Sequence, residues 1–192
     1  LDDLATIEDY AYNFDHPGYY ALLEHIAMTP PAADLRERAL PIDDWTLLAE
    51  RPSEYRGQPL TLRGEVWANK APYIHIGRPE LGRVAQLELV SPGAPVKATI
   101  ICTTDVSDIP LLASVRVTGY FVMMRRYRDA QNREQIAALL VSHGPTVVER
   151  LAPPAQRDPP RWIWVTAAVV GGLLFGWLLL RRATPSHGRP DF

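Results

Sequence analysis

Residues 162–180 read WIWVTAAVVGGLLFGWLLL, nineteen residues without a charge, fifteen of them hydrophobic. A helix of that length is about 28 Å long, close to the roughly 30 Å hydrocarbon core of a bilayer. Trp162 and Trp164 stand at one end and Trp177 near the other, where indole rings favour the headgroup level. Arg161 and the pair Arg181–Arg182 bracket the stretch, and their long stems can snorkel to the interface. The segment is expected to be a single C-terminal transmembrane helix rather than a buried soluble one. Gly172 and Gly176 lie four apart on one helix face, the small-xxx-small spacing of packed membrane helices. Glycine is also simply common in such helices.

Whole-chain averages conceal this division. The 192 residues are 47% hydrophobic and 22% charged, with net charge −2. Without the apolar stretch the remainder is roughly 43% hydrophobic, an ordinary soluble-domain figure. With 12 Gly and a single cysteine, Cys102, neither a collagen-like chain nor a disulfide scaffold is available. The net charge is also an average. Residues 1–50 carry eleven acids against Arg36 and Arg38, net −9, whereas residues 51–150 are net +4 and residues 151–192 net +3. An acidic arm thus precedes a mildly basic domain, and either lies against it, meets a basic partner or is a solvated face.

Orientation follows from weaker signals. Arg157 and Arg161 precede the apolar stretch and Arg181, Arg182 and Arg189 follow it, a nearly balanced count. The first residue is Leu1 rather than Met, which fits removal of a signal peptide that exported the soluble part. Arg181–Arg182 then reads as a stop-transfer signal. The expectation is an extracytoplasmic (periplasmic) soluble domain with a short cytoplasmic tail. The alternative is a tail-anchored protein with a cytoplasmic domain.

The arm, residues 1–52, is expected to be partly helical. YYALLEHIAM (Tyr19–Met28) places Leu22, Leu23, Ile26 and Ala27 on one side, and Pro30–Pro31 stops it. A second short helix is expected from Asp43 or Asp44, as N-cap, through Trp45, Leu47 and Leu48 to Glu50. From Gln58 the period changes to two. Alternation over Leu60–Val66, Ala85–Leu89, Val96–Cys102 and Val115–Met123, with QIAALLVS at 135–142, predicts five strands separated by turn residues. The barrel region is 53–150. LAPPAQRDPP then opens a stiff proline-rich spacer, 151–161, before the anchor at 162–180 and the tail at 181–192.

Three features resemble an OB-fold. The first strand, LTLRGEV, has Gly64 in its middle, where many such folds bend or bulge. A three-strand meander is followed by a longer connection, Thr103 to Ser114. The fourth strand, VRVTGYF, repeats the apolar-x-apolar-x-Gly pattern. The resemblance covers residues 56–148 and implies a mainly β protein: a small five-stranded OB-like barrel with an N-terminal α-helical arm. It departs from that family where a helix should join strands three and four, because TTDVSDIPLLAS is short and contains Pro110. The chain also resembles membrane-anchored bacterial proteins of unknown function that carry a G-E-V strand and a V-x-V-x-G-Y-F strand ahead of an anchor. No activity comes with that resemblance.

OB-folds often bind single-stranded nucleic acid on aromatic platforms in a basic groove. The one basic-aromatic cluster here is Tyr120, Phe121, Arg125, Arg126, Tyr127 and Arg128, and the barrel region has only two lysines. The weaker charge and the anchor argue for a strand end with solvated arginines instead, so no nucleic acid is expected. His16, His25, His75, His143 and His187 make no H-x-x-x-H or H-E-x-x-H pattern, and Cys102 has no C-x-x-C partner. Some OB-type membrane proteins handle haem through an exposed histidine, which keeps His75 and His143 in view. There is no G-x-S-x-G and no Gly-rich phosphate loop. No catalytic residue, metal, cofactor or small-molecule substrate is therefore expected.

The residues point to a non-catalytic single-pass membrane protein, an accessory or scaffolding subunit of a larger complex. Its expected partners are the bilayer and other membrane-protein subunits. The candidate interaction surface is Tyr10, Tyr12, Tyr19, Tyr20, Arg125, Arg126, Tyr127 and Arg128, with Phe14 beside it, since aromatic and arginine side chains anchor interfaces. The aromatics of the arm could equally pack on the barrel. An extracytoplasmic ligand- or haem-handling module and a single-strand nucleic-acid binder are the alternatives.

Overall fold

KATIIC, GYFVMM and AALLVS break the simple alternation of a half-buried strand, because apolar residues occupy both parities. The computed structural model shows what each side meets. It describes residues 2–29, 33–74, 78–93 and 95–149. The expected anchor, with Trp162, Trp164, Trp177, Gly172 and Gly176, lies outside the described residues, as do the spacer, Arg181 and Arg182. Among the described residues no helix is long and apolar enough to cross a membrane.

The protein is mainly β with a few helices. Strands β1 (Leu40–Ile42), β2 (Pro59–Ile74), β3 (Arg83–Val90), β4 (Lys97–Cys102), β5 (Ser114–Arg128) and β6 (Glu134–Glu149) form one mixed sheet. Their order is β1-β2-β3-β4-β6-β5, and β2 also pairs with β5, so the sheet curls back on itself in a partial ring. β1 runs parallel to β2 with Leu40 opposite Leu60, and β4 runs parallel to β6 from Lys97–Ala137 to Cys102–Ser142. The other neighbours are antiparallel. Residues 103–113 join β4 to β5 without a helix.

The five expected strands are present, and three run well past their expected ends. β2 continues through Pro72 because its register slips between Val66 and Ala68 and again between Lys70 and Tyr73. Those irregularities turn the strand from β5 towards β3, and a proline is tolerated at such a site because no ladder N–H is needed. The bend expected at Gly64 is therefore displaced to Val66–Ala68. β6 passes a Gly–Pro pair that reads as a stop. Gly144 has φ 145°, its N–H donates to Ser142 Oγ at 3.1 Å, and Ser142 Oγ donates to the Thr118 carbonyl at 2.6 Å. Pairing resumes at Pro145 opposite Val117. β5 runs on through Arg125–Arg128 opposite Ala137–Glu134. β1 is a sixth strand beyond the five expected; Pro41 sits in its middle, which an edge strand tolerates.

Two apolar layers account for the doubled parity. Leu60, Leu62, Leu87, Leu89, Ala98, Ile100, Val115, Val117, Phe121 and Leu140 fill the inside of the ring. Ile101, Val122, Met123, Leu139 and Val141 face outward, beneath Leu4, Ile7, Tyr19, Tyr20, Leu22, Leu23 and Ile26 of the arm. Arm and ring fall in one unit, Leu1–Leu151, apart from Ala152–Phe192. Helix α1 spans Pro17–Met28, two residues longer than expected at its start. Pro17 sits in its first turn and His16 Nδ1 accepts from Gly18 N–H at 3.1 Å. Ala27, expected on the apolar side, is exposed. Helix α2 spans Ala33–Arg38.

Helix α3 (Thr46–Glu50) closes against the ring interior and α4 (Pro52–Tyr55) follows it. The N-cap is Trp45, not Asp43 or Asp44 as expected, and Asp44 turns the chain one residue earlier: its Oδ1 accepts from Thr46 N at 3.0 Å and Thr46 Oγ1 at 2.6 Å, which holds its carboxyl below the usual range. Trp45 and Leu48 are fully buried in the inner cluster. Gly64 makes room for that indole, since a Cβ there would lie 2.9 Å from both Trp45 Cη2 and the Val90 carbonyl. At Gly119 a Cβ would stand 2.4 Å from the Val141 carbonyl. Gly119→Ala is expected to cost about 2 kcal/mol through forced separation of β5 and β6, read as a lower urea midpoint. Leu112 sits at φ 63° with its side chain exposed, so Leu112→Gly is expected to raise the melting temperature, by about 1 kcal/mol in stability.

Candidate interaction face

The segment before α1 becomes part of the sheet. Tyr10 N–H donates to the Met124 carbonyl at 2.6 Å and Arg126 N–H to the Ala11 carbonyl at 3.0 Å, forming a parallel bridge between Ala11 and Arg125. Asp9 locks this arrangement. Its Oδ1 accepts from Met124 N–H at 2.9 Å, and its Oδ2 pairs with Arg56 Nη2. Arg56 Nε donates to the Val122 carbonyl at 3.2 Å. Both side chains are largely buried, 10% and 15% exposed. A buried pair of this kind contributes little relative to an apolar replacement, but loss of one partner strands the other charge.

This stitching brings residues more than a hundred positions apart onto one face. Arg125 stands between the Phe14 and Tyr127 rings, 5.4 Å and 5.3 Å from their centroids. Arg126 lies over Tyr10 at 5.8 Å and pairs with Glu134 at 3.2 Å. The Tyr12 hydroxyl donates to Glu134 Oε2 at 2.7 Å. Arg128 donates to Asn132 Oδ1 at 3.0 Å beside the Asp129–Arg133 pair. Burial lowers the Arg125 guanidinium from its usual range. Tyr10, half-buried, donates its hydroxyl to the Ala49 carbonyl, and burial raises its phenol above the usual value. The outward edge of the face is Tyr12, 51% exposed, with Arg126 and Arg128.

Two members of the expected surface are elsewhere. Tyr19 is fully buried and Tyr20 nearly so, both in the apolar cluster that the arm forms with the outer face of the sheet. Tyr19 meets Phe14 edge-on at 5.3 Å, and burial drives its phenol far upward. They are core residues because α1 lies on the outside of the sheet, a docking that the helical pattern does not specify. Of the histidines in view, His143 is half-buried with Nδ1 3.3 Å from Thr103 Oγ1, and burial lowers its pKa. His75 lies outside the described residues. Among the described residues no three potential metal ligands converge.

A basic cleft of about 420 Å³ was not anticipated. Arg36, Arg63 and Arg116 line it with Asp43, Thr61 and Thr118. Arg63 and Arg116 are directly opposite each other on β2 and β5, and the Thr61 and Thr118 hydroxyls are 2.9 Å apart. Like charges in opposed positions cost energy unless nearby anions offset them. The register of two strands some fifty residues apart creates the cleft, and no local motif announces it.

No family model matches the chain, and no curated protein matches it. Among solved structures, an aspartyl tRNA synthetase from Entamoeba histolytica aligns over 72% of this chain and 28% of that one, with 8% identity and a TM-score of 0.29. A likeness that low carries no argument.

Asp9→Ala is expected to destabilise the fold by about 3–5 kcal/mol, because it leaves the Arg56 charge buried and the Met124 N–H without its acceptor. Urea denaturation measures this. A change below about 1 kcal/mol would mean that the pair does not hold the arm. Cys102 is fully buried on β4 and burial pushes its thiol up to about 12. It is expected to resist a thiol-specific reagent at pH 8 in the native protein and to react at once in denaturant.

Proposed function

We propose that the chain is a non-catalytic single-pass membrane protein, an accessory or scaffolding subunit of a larger membrane complex. One observation carries this reading. The arm and the β5–β6 hairpin assemble an arginine–tyrosine edge of Tyr12, Arg126 and Arg128, with Arg125 and Tyr127 behind it. Stacked, pre-ordered aromatic and guanidinium groups lose little freedom on docking, so this is the composition from which interfaces draw their strongest contacts.

The ring fits an OB-like barrel. Numbered along the chain, β2, β3, β4, β5 and β6 follow one another round it in the order 1-2-3-5-4, with the third and fifth parallel. Where that family puts a helix between its third and fourth strands, this chain has residues 103–113, and Trp45 and Leu48 of the arm fill the ring instead. The charge-free stretch at 162–180 supplies the anchor, with the barrel extracytoplasmic and the tail cytoplasmic. A single-strand binder fits less well, because Arg126 and Arg133 are paired with Glu134 and Asp129.

Purification of the full chain in mild detergent tests the proposal. Defined membrane-protein subunits are expected to co-purify. Tyr12→Ala with Arg126→Ala is expected to reduce their recovery at least tenfold, about 1.4 kcal/mol, while leaving the melting temperature within a few degrees. A clean monomer with nothing bound would overturn the subunit assignment. Salt-sensitive capture of single-stranded nucleic acid would move the function to that class.

A further inference from the structure

We infer that Trp67, Leu111 and Leu112 form a lipid-facing tip that rests on the bilayer in which residues 162–180 are anchored. The inference depends on the membrane reading above and adds which end of the barrel meets the lipid.

Trp67, Leu111 and Leu112 are 54%, 60% and 57% exposed, unlike the buried large apolar residues around them on β2 and β5. They are neighbours through the backbone. Leu112 N–H donates at 2.8 Å to the Val66 carbonyl, which belongs to the peptide unit leading into Trp67. Val66 N–H donates back to the Ala113 carbonyl at 3.0 Å. The left-handed conformation at Leu112 favours glycine or asparagine, so stability alone does not explain an exposed leucine there.

The occupant follows from where the chain leaves the sheet. Glu65 on β2 pairs with Ser114 on β5, and Ser114 pairs with Glu149, the last residue of β6. The exit of the chain thus lies two strand spacings, about 10 Å, from the residue that precedes Val66 and Trp67. Only residues 150–161 separate it from Trp162, a tether of at most about 43 Å even when fully extended. The exposed apolar side chains therefore sit at the end of the ring from which the chain leaves the sheet.

The side-chain types suit that surface. The Lys97 ammonium lies 5.2 Å from the centre of the Trp67 indole, a pairing of ring and cation suited to headgroup depth. Arg63 and Arg116 oppose each other on β2 and β5, four residues along the chain from Trp67 and from Leu112. Asp105 and Asp108 share the loop with Leu111 and Leu112, so the contact is apolar first and electrostatic second.

Site-directed spin labelling of the full chain in vesicles of phosphatidylcholine and phosphatidylglycerol tests the inference. Leu111→Cys and Leu112→Cys carry the label in separate variants, Ala130→Cys in the exposed β5–β6 turn is the reference, and buried Cys102 stays unlabelled. Unchanged melting temperatures show that the labelled proteins are folded. The ratio of oxygen to nickel-chelate accessibility is expected to be several-fold higher at 111 and 112 than at 130. If the chain floats with vesicles but labels 111 and 112 resemble 130, the tip is in water and the inference fails while the anchor stands. Exclusion of both quenchers would place a protein partner on the tip and also overturn it. A chain that does not float removes the anchor and the inference together.

Discussion

The doubled burial of the sheet is the constraint on which this structure depends. β4, β5 and β6 carry large apolar side chains on both faces, and a ring of strands can bury only one of them by itself. The outer face must be covered by something that the ring does not contain. The acidic arm supplies the cover, with Leu4, Ile7, Tyr19, Leu22, Leu23 and Ile26 against Val122, Met123, Leu139 and Val141. Its position is set by directional contacts. Asp9 accepts from the Met124 amide and pairs with Arg56, and Tyr10 and Ala11 bond β5 through their backbones. The arm is therefore a second layer of the same fold.

That arrangement also explains the candidate face. Once Asp9 and Ala11 are registered on β5, Tyr10, Tyr12 and Phe14 fall beside Arg125, Arg126 and Tyr127 with no further freedom. Cover, register and face are consequences of one docking event. A later stretch of the arm closes the ring: Ile42, Trp45 and Leu48 enter the inner cluster, and Gly64 leaves room for the indole.

Much of this was legible in the chain. The alternation at 60–66, 85–89, 96–102 and 115–123 located the strands, and YYALLEHIAM located α1, because period and breakers act over a few residues. The Asp44–Thr46 turn ahead of α3 is equally local. Strand ends were less legible. β2 runs beyond Val66 and β6 beyond Ser142 because distant partners accept the bulges at those points, and a Gly–Pro pair reads as a stop only when no partner strand is known. Tyr19 and Tyr20 lie close to Tyr10 and Tyr12 in sequence, yet a helix that docks on a sheet buries one side and a segment that pairs at its edge does not. The Arg36–Arg63–Arg116 cleft left no local trace, since its parts come from three elements.

By itself the sequence determined five of the six strands, the first helix and its Pro30–Pro31 stop, the acidic bias of the arm and the charge-free stretch at 162–180. Each depends on the solvation or backbone preference of a short run. Tertiary structure alone decided that the arm covers the sheet, which tyrosines become core, how arginines from β2 and β5 come to oppose each other, and that Trp67, Leu111 and Leu112 share one end of the ring. Those outcomes depend on register, and register is set by contacts between residues tens to more than a hundred positions apart, for which no short window carries the information.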